Sequence, residues 1–399
     1  MRPMEDQDVA LKILHTADWH LGRSFPFFAE EDQPKLTRAR IEAVDKLLGL
    51  AESYAVNAVL CAGDLFHEPT PSETWWRELL RLFERRQWTN RPVFLLPGNH
   101  DPLWPNSVWA QDHPFRRGLP AWVHVVDRDD YEFALSDEAV LYAVPCRSQA
   151  GADDPTASIP RRAAGDPRIR IGLVHGQTFD LAGHQTNFPI SLDATVQRGL
   201  NYLAIGDTHA FREFPPKTAP MVYPGAPEAT TFGEEDTGCV AIVFFPRQGR
   251  APIIQKQLVA RWKWREESCT SMEQLEALRH QDLKECVLRL TLNMEVAIAE
   301  RARVDDILLE LKGNEAVCGK VGVLHVESAG LQVNVRDISD FDGALPEVLR
   351  SVVTRLQEQS DGPEGAAARQ ALVLLHKTLR SLGGGTGAVA KIARRSAAQ

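Results

Sequence analysis

No two cysteines in this 399-residue chain are spaced as CxxC; the six stand apart at Cys61, Cys146, Cys239, Cys269, Cys286 and Cys318. That spacing argues against zinc-finger and disulfide-framework architectures and fits a reducing cytoplasm. No apolar run approaches the ~20 residues of a membrane span. The opening MRPMEDQDVA is acidic and has no apolar core of the signal-peptide kind. Positive charge is not in excess either. The net charge of -9 argues against a generally basic nucleic-acid coat, while leaving room for a locally basic groove. What the chain does have is 44% apolar and 25% charged residues, the composition of a soluble globular protein. Its length implies two or three folding units.

The informative stretch is Gly63-Asp64-Leu65-Phe66-His67-Glu68. It follows the apolar run 56–62, which reads as a buried strand, so Asp64 falls where a strand gives way to a loop. The same arrangement recurs along the chain. The strand 11–16 exits into Ala17-Asp18-Trp19-His20, and 92–96 exits into Pro97-Gly98-Asn99-His100-Asp101. The strand 169–174 ends in His175-Gly176, and 201–205 ends in Gly206-Asp207-Thr208-His209. One such cluster is an ordinary turn; five after successive strands are not. Between them, 38–52 puts Ile41, Val44, Leu48 and Ala51 on one helical face, and 72–86 forms a second helix with Ser72 as N-cap. Trp75 and Trp76 are expected to pack with that helix. Residues 121–145 read as a meander or hairpin set.

Asp18, His20, Asp64, Asn99, His175, Asp207 and His209 are the candidate metal ligands. Imidazoles mixed with oxygen donors suit Mn²⁺, Fe²⁺ or Zn²⁺ better than an all-oxygen calcium cage. The lack of a cysteine among them disfavours a structural zinc site. Seven ligands are too many for one ion. With one bridging carboxylate they suit two ions about 3.5–4 Å apart, an arrangement used for in-line displacement at phosphorus. Asn99 is neutral and keeps the cluster from becoming over-anionic. His100 is a titratable imidazole that Asp101 is expected to orient.

In this order the motifs resemble the calcineurin-like metallophosphoesterases, and HTADWHLGR, AGDLFH and LPGNHD resemble the Mre11/SbcD branch of DNA-repair nucleases. The run Tyr223-Pro224-Gly225-Ala226-Pro227-Glu228, continuing to Phe232-Gly233-Glu234-Glu235, extends the likeness, which covers roughly residues 11–262. The resemblance implies that Asp18, His20, Asp64 and His209 bind one metal and Asp64, Asn99, His175 and Asp207 the other. It implies that His100 donates a proton to the leaving oxygen, helped by Asp101, and that His67 contacts substrate beside the site. Asp207 departs from the pattern, which usually has histidine there; a charged oxygen hardens that site towards Mn²⁺ or Mg²⁺ over Zn²⁺. Mn²⁺ is the favoured pair of ions, with Mg²⁺, Fe²⁺ and Zn²⁺ as alternatives.

Arg23, just after the first motif, is a candidate for a substrate phosphate, as are the pairs Arg116-Arg117 and Arg161-Arg162 for a DNA backbone. His15 and His124 are expected to be packed and hydrogen-bonded, His113 and His184 solvated. The expected fold is a four-layer α/β sandwich of two mixed sheets flanked by helices (1–265), a small α/β cap (266–338) and C-terminal helices with a disordered tail (339–399). Arg261-Trp262-Lys263-Trp264 would close the first unit. Leu345, Val348, Leu349, Val352 and Leu356 form one apolar helical face, and Ala368, Ala371, Leu372, Leu375, Leu379 and Leu382 another. The resemblance assigns these helices to an ATPase partner of the Rad50/SbcC kind; a homodimer is a further expectation. The implied activity is metal-dependent DNA exonuclease, with endonuclease activity besides. The rivals are a phosphatase or phosphodiesterase on small phosphoesters and a weakly active DNA-binding protein.

Overall fold

The structure is a computed structural model that describes residues 8–178, 186–214, 219–247, 249–314, 317–335, 347–363 and 365–383. It divides into two compact units, Met1–Trp262 and Lys263–Gln399. Lys263 and Trp264 therefore begin the second unit and do not close the first.

The first unit runs β1 (Val9–Thr16), α1 (Gln33–Ser53), β2 (Ala58–Cys61), α2 (Glu73–Arg86), β3 (Val93–Leu95), α3 (Pro114–Gly118), β4 (Val123–Val125), β5 (Tyr131–Ser136), β6 (Ala139–Ala143), β7 (Ile169–His175), α4 (Ala194–Arg198), β8 (Tyr202–Gly206), β9 (Phe211–Phe214), β10 (Met221–Pro224), β11 (Cys239–Pro246) and β12 (Ile253–Leu258). Two six-stranded sheets result, ordered β12-β11-β1-β2-β3-β4 and β5-β6-β7-β8-β10-β9. In each, four parallel strands carry antiparallel neighbours, one at the edge of the second sheet on either side and two along one side of the first. Helical crossovers such as α1 and α2 explain the parallel pairing, since parallel strands need a long return connection.

The strands are apolar on both faces because both faces are covered. Leu11, Ile13, Leu60 and Phe94 meet Leu141, Ile171, Leu173 and Ala204 between the sheets. On the outside of the first sheet Leu14, Val59 and Leu95 pack with Val44, Leu48, Leu79 and Phe83 of α1 and α2. The outside of the second sheet carries Val140, Val174 and Leu203 under Ile159, Ile190 and Ala194. This is the four-layer α/β sandwich. Trp76 is buried and Trp75 half-buried on α2.

Three readings change. Residues 121–145 are not one meander: β5 and β6 form a hairpin, but β4 extends the first sheet beside β3. His113 is not merely solvated; its Nδ1 accepts the Phe115 N–H at 3.1 Å and caps α3. Arg162 is committed to the carbonyls of Gly199, Asp166 and Arg168 and to Asn201 Oδ1, so it is no backbone contact for DNA. Arg116 is paired with Asp127. His15 is buried with Nδ1 at 2.9 Å from the Tyr202 hydroxyl, and His124 stacks on Phe94. His184 lies outside the described residues.

The second unit contains β13 (Lys263–Cys269), α5 (Met272–Leu278), β14 (Leu283–Leu292), β15 (Glu295–Ala297), α6 (Ile298–Lys312), β16 (Gly313–Asn314), β17 (Val317–Cys318), β18 (Val321–Glu327), β19 (Gln332–Asn334), α7 (Glu347–Gln359) and α8 (Gly365–Gly383). A parallel sheet β13-β14-β18 is its centre. The C-terminal helices are part of this unit: Val353 of α7 and Leu372 of α8 are buried with Ile298 and Val335. On α7 the inward face turns on Val353, with Leu349 and Leu356 beside it, and Val348 stands 74% exposed. The sequence pattern places Val348 inward because the adjacent apolar pairs Val348-Leu349 and Val352-Val353 fit two neighbouring helical faces about equally well. Leu345 and the tail from Gly384 lie outside the described residues.

Eight of the nine tryptophans precede Lys263, so tryptophan fluorescence reports mainly on the first unit. Leu60→Ala removes a fully buried side chain between the sheets. It is expected to destabilise that unit by about 2–5 kcal/mol, read as a lower urea midpoint in the fluorescence transition.

Candidate metal centre

The five polar strand exits lie on parallel neighbours of the two sheets and meet at one end of the sandwich. β1, β2 and β3 bring Asp18, His20, Asp64, Asn99 and His100; β7 and β8 bring His175, Asp207 and His209. The exits are tight. Asp18 (φ 56°), His20 (φ 43°), Asp64 (φ 54°) and Asp207 (φ 103°) all have positive φ, a conformation that costs non-glycine residues free energy and is typically retained at functional sites. Backbone bonds hold the first two exits together: Asp18 N donates to Gly63 O at 3.0 Å and His20 N to Asp64 O at 2.9 Å.

Gly98 is needed for this closeness. A Cβ there would stand 2.1 Å from Asp64 Oδ1 and 2.4 Å from Asp64 N. At Gly206 a Cβ would stand 1.9 Å from the Ala62 carbonyl oxygen.

The side chains converge accordingly. Asp64 Oδ2 lies 3.7 Å from His20 Nε2 and 3.6 Å from His175 Nε2. His20 Nε2 faces His209 Nε2 at 3.1 Å, and His175 Nε2 faces Asn99 Oδ1 at 2.8 Å and Asp207 Oδ1 at 3.6 Å. Asp18, His20 and His209 form one compact ligand group, and Asp18, Asp64 and His175 another. All seven sequence candidates for metal ligation are brought together; Asp18 is common to the two groups, and Asp64 Oδ2 stands between His20 and His175.

These contacts set acceptor against acceptor. His175 Nδ1 is 2.7 Å from the Ala62 carbonyl, so in the neutral form Nδ1 carries the proton and a bare Nε2 is left towards Asn99 Oδ1. His209 Nδ1 meets Glu234 Oε1 at 2.7 Å, leaving its Nε2 towards His20. Such a cluster requires protons or cations at its centre. Burial raises the Asp18 carboxyl to about 7, partly countered by His175 and His209. Burial opposes charge on His175, but Asp64, Asp18 and Asp207 overcome it and hold the imidazole at about 9. His209 is also raised, against its burial, by the hydrogen bond to Glu234. His20 is pushed well below its ordinary value by burial and by His209. Donors sharing an ion at about 2.1 Å lie roughly 3 Å apart, as these do. The donor set therefore fits divalent cations.

Several supporting groups were not singled out as such in the sequence. Gln177 Nε2 donates to Asp207 Oδ2 at 2.7 Å. Glu234 and the Thr230 hydroxyl both meet His209 Nδ1. The only local signal for them was their closeness to a motif. Asp101 behaves differently from expectation. Its buried carboxylate accepts Phe66 N at 3.0 Å and Gly98 N at 2.8 Å, tying two exits together. The His100 ring is oriented instead by the His67 carbonyl, 3.1 Å from Nδ1. His67 stacks on His100 with centroids 5.1 Å apart, and its Nδ1 lies 3.3 Å from His20 Nδ1. Burial, then Arg23, lowers His67 to about 4. A neutral His67 can accept the His20 Nδ1 proton, which bares His20 Nε2 for a metal. Arg23 is half-buried beside these groups, and its Nε is without a hydrogen-bond partner among the described residues.

Residues 11–243 match the family described as Calcineurin-like phosphoesterase. The chain belongs to that family. Its members hydrolyse phosphoesters with a pair of metal ions, which agrees with the His/Asp cluster. The uncharacterized metallophosphoesterase YhaO of Bacillus subtilis (strain 168) is 27% identical over 228 residues, 55% of this chain and 53% of its own. The SbcD component of the nuclease SbcCD of Escherichia coli (strain K12) is 33% identical over 93 residues, 23% of this chain and 22% of its own. The chain thus spans about half of the first relative's length and about a fifth of the second's. Among solved structures, a dimetal phosphatase from Danio rerio covers 62% of this chain and 99% of its own at 11% identity and a TM-score of 0.40.

Metal binding must displace protons from Asp18 and His175. Mn²⁺ affinity is therefore expected to fall as pH drops through about 9 and then about 7. Calorimetry at pH 7.5 in buffers of different ionisation enthalpy should show proton release; its absence would contradict the assignment. Gly98→Ala, which drives a methyl group onto Asp64, should weaken Mn²⁺ binding about 10–100-fold in the same titration.

Proposed function

We propose that this protein hydrolyses DNA phosphodiester bonds with two divalent ions, Mn²⁺ first among them, acting as an exonuclease and also as an endonuclease. The observation that carries the choice of substrate is Arg23. A half-buried guanidinium, placed beside His67 and electrostatically coupled to Glu234, is positioned for a phosphate contact outside the metal ligands. A neighbouring phosphate of a nucleic-acid strand could fill such a contact. That the SbcD relative is named a nuclease supports the same reading.

Each residue then has a task. Asp18, His20, Asp64 and His209 would hold one ion and Asp64, Asn99, His175 and Asp207 the other, with Asp64 shared. Bound there, the ions would withdraw charge from the phosphoryl oxygens and make water nucleophilic near neutral pH. His67 holds His20 in the tautomer that presents Nε2. Protonated His100 gives its Nε2 proton to the leaving oxygen and returns to the neutral form, in which Nδ1–H still bonds the His67 carbonyl. Gln177 keeps Asp207 turned towards the cluster.

We further propose that the C-terminal helices meet an ATPase partner of the Rad50/SbcC kind through what they leave outside. Val348 of α7 and Leu374 of α8 are exposed apolar side chains, while the main faces of both helices are spent inside their own unit. Among the described residues no helix is long and apolar enough to cross a membrane.

The test is cleavage of end-labelled linear DNA by the purified 399-residue chain with Mn²⁺, Mg²⁺ or Zn²⁺, beside bis(p-nitrophenyl) phosphate. DNA cleavage is expected to fall by about 10²–10⁴ in His100→Ala, with two ions still bound. Asp207→Ala should lose one of the two ions. Hydrolysis of the small diester without DNA cleavage would overturn the nuclease reading. Unchanged stoichiometry and activity in Asp207→Ala would remove Asp207 from the ligands.

A further inference from the structure

We propose that Phe27 is the exposed surface of a base-stacking shelf beside the metal centre, on which a terminal base of a single-stranded DNA end lies. The proposal rests on the DNA reading above. The loop Ser24-Phe25-Pro26-Phe27-Phe28 follows directly on Arg23. Phe25 and Phe28 are buried, as is Phe232, whereas Phe27 is 42% exposed. The Phe27 ring sits 4.4 Å from the Phe28 ring at an interplanar angle of 36°, and 6.3 Å from the Phe232 ring. Phe28 and Phe232 are themselves 6.0 Å apart. The exposed ring is thus supported from beneath, so stacking on it costs little further ordering.

Both ends of the shelf are tied to the candidate site. Phe232 belongs to the turn Thr230–Glu234, whose hydroxyl and carboxylate hold His209. Phe25 lies 6.0 Å from the Arg23 guanidinium carbon. A phosphate contact and an aromatic face therefore occur four residues apart on one loop, at the mouth of a centre built for phosphoester chemistry. That pairing of cation and ring is how single strands are held without base-edge readout.

A protein partner is the less suitable occupant. A stable protein interface buries about 800 Å² on each side, and this loop exposes one large apolar ring whose aromatic neighbours Phe28 and Phe232, among the described residues, are buried. One ring matches one base. Every base presents a π-face, so the shelf favours an unpaired end over a particular sequence.

The experiment compares the unaltered chain with Phe27→Ala, Phe27→Leu and Phe27→Trp. Each is given two single-stranded oligonucleotides in Mn²⁺, one complete and one with its three terminal residues abasic at the end attacked. Thermal melts confirm folding. Phe27→Ala and Phe27→Leu should raise KM for the complete strand about tenfold, Phe27→Trp should retain the unaltered KM, and the penalty should vanish on the abasic strand. An equal penalty on both strands, or rescue by leucine, would mean that Phe27 is apolar cover and would overturn the shelf. No effect of Phe27→Ala while the unaltered chain cleaves DNA overturns the shelf and leaves the nuclease reading standing. If the unaltered chain cleaves neither strand, both fall.

Discussion

Once the imidazoles lose their extra protons, acceptor faces acceptor at the centre of this molecule, and much of the first unit follows from making that tolerable. Asn99 Oδ1 stands 2.8 Å from His175 Nε2, and two imidazole nitrogens face each other at 3.1 Å. Left alone, buried groups of this kind cost free energy. The fold keeps them in place with rigid parallel strands, positive φ at four residues of three exits and a carboxylate, Asp101, that bonds the backbone of two exits at once. A cation relieves the conflict that the backbone enforces. The strain is placed at the chemistry, and the apolar layers on either side hold it there.

The asymmetry of the two sheets' coverings fits this arrangement. The first sheet is backed by α1 and α2, two long helices with a continuous apolar layer. The second is backed by the five-residue α4 and by loops. The three exits on the first sheet supply most of the acids and the His100 ring, so the better-buttressed sheet carries the parts whose placement is most demanding. The loops over the second sheet contribute Gln177, which acts on Asp207 by one hydrogen bond.

Local pattern sufficed for the strand exits. An apolar run followed by Asp, Asn or His says where a strand stops and a polar group begins, as at Asp64 and His175. It did not suffice wherever the deciding neighbour was distant in sequence. β4 has a strand pattern, but its sheet is chosen by its pairing with β3. Asp101 is adjacent to His100, yet its partners are Phe66 and Gly98. Glu234 reaches His209 across twenty-five residues, and nothing in its own neighbourhood announces that bond. On α7 the stripe was legible to within one residue, and that one residue decides that Val353 is inside and Val348 outside.

Asp207 shows how the proposed chemistry constrains the electrostatics. Two doubly charged cations held as proposed by Asp18, Asp64 and Asp207 would leave one formal positive charge on the cluster. A histidine in place of Asp207 would leave two. With only one, the cluster's attraction for a phosphodiester is weaker, and a positive charge outside the ligand set gains weight. Arg23 is placed where it can supply that charge, half-buried beside His67 and Glu234, so its field is less screened than that of a surface arginine. Burial disfavours its charged form, and Glu234 offsets part of that cost. On the proposed reading Glu234 would serve two cations at once, holding His209 for the metal and steadying Arg23 for the substrate. The acidic ligand and the buried arginine belong to one electrostatic balance, in which each makes the other useful.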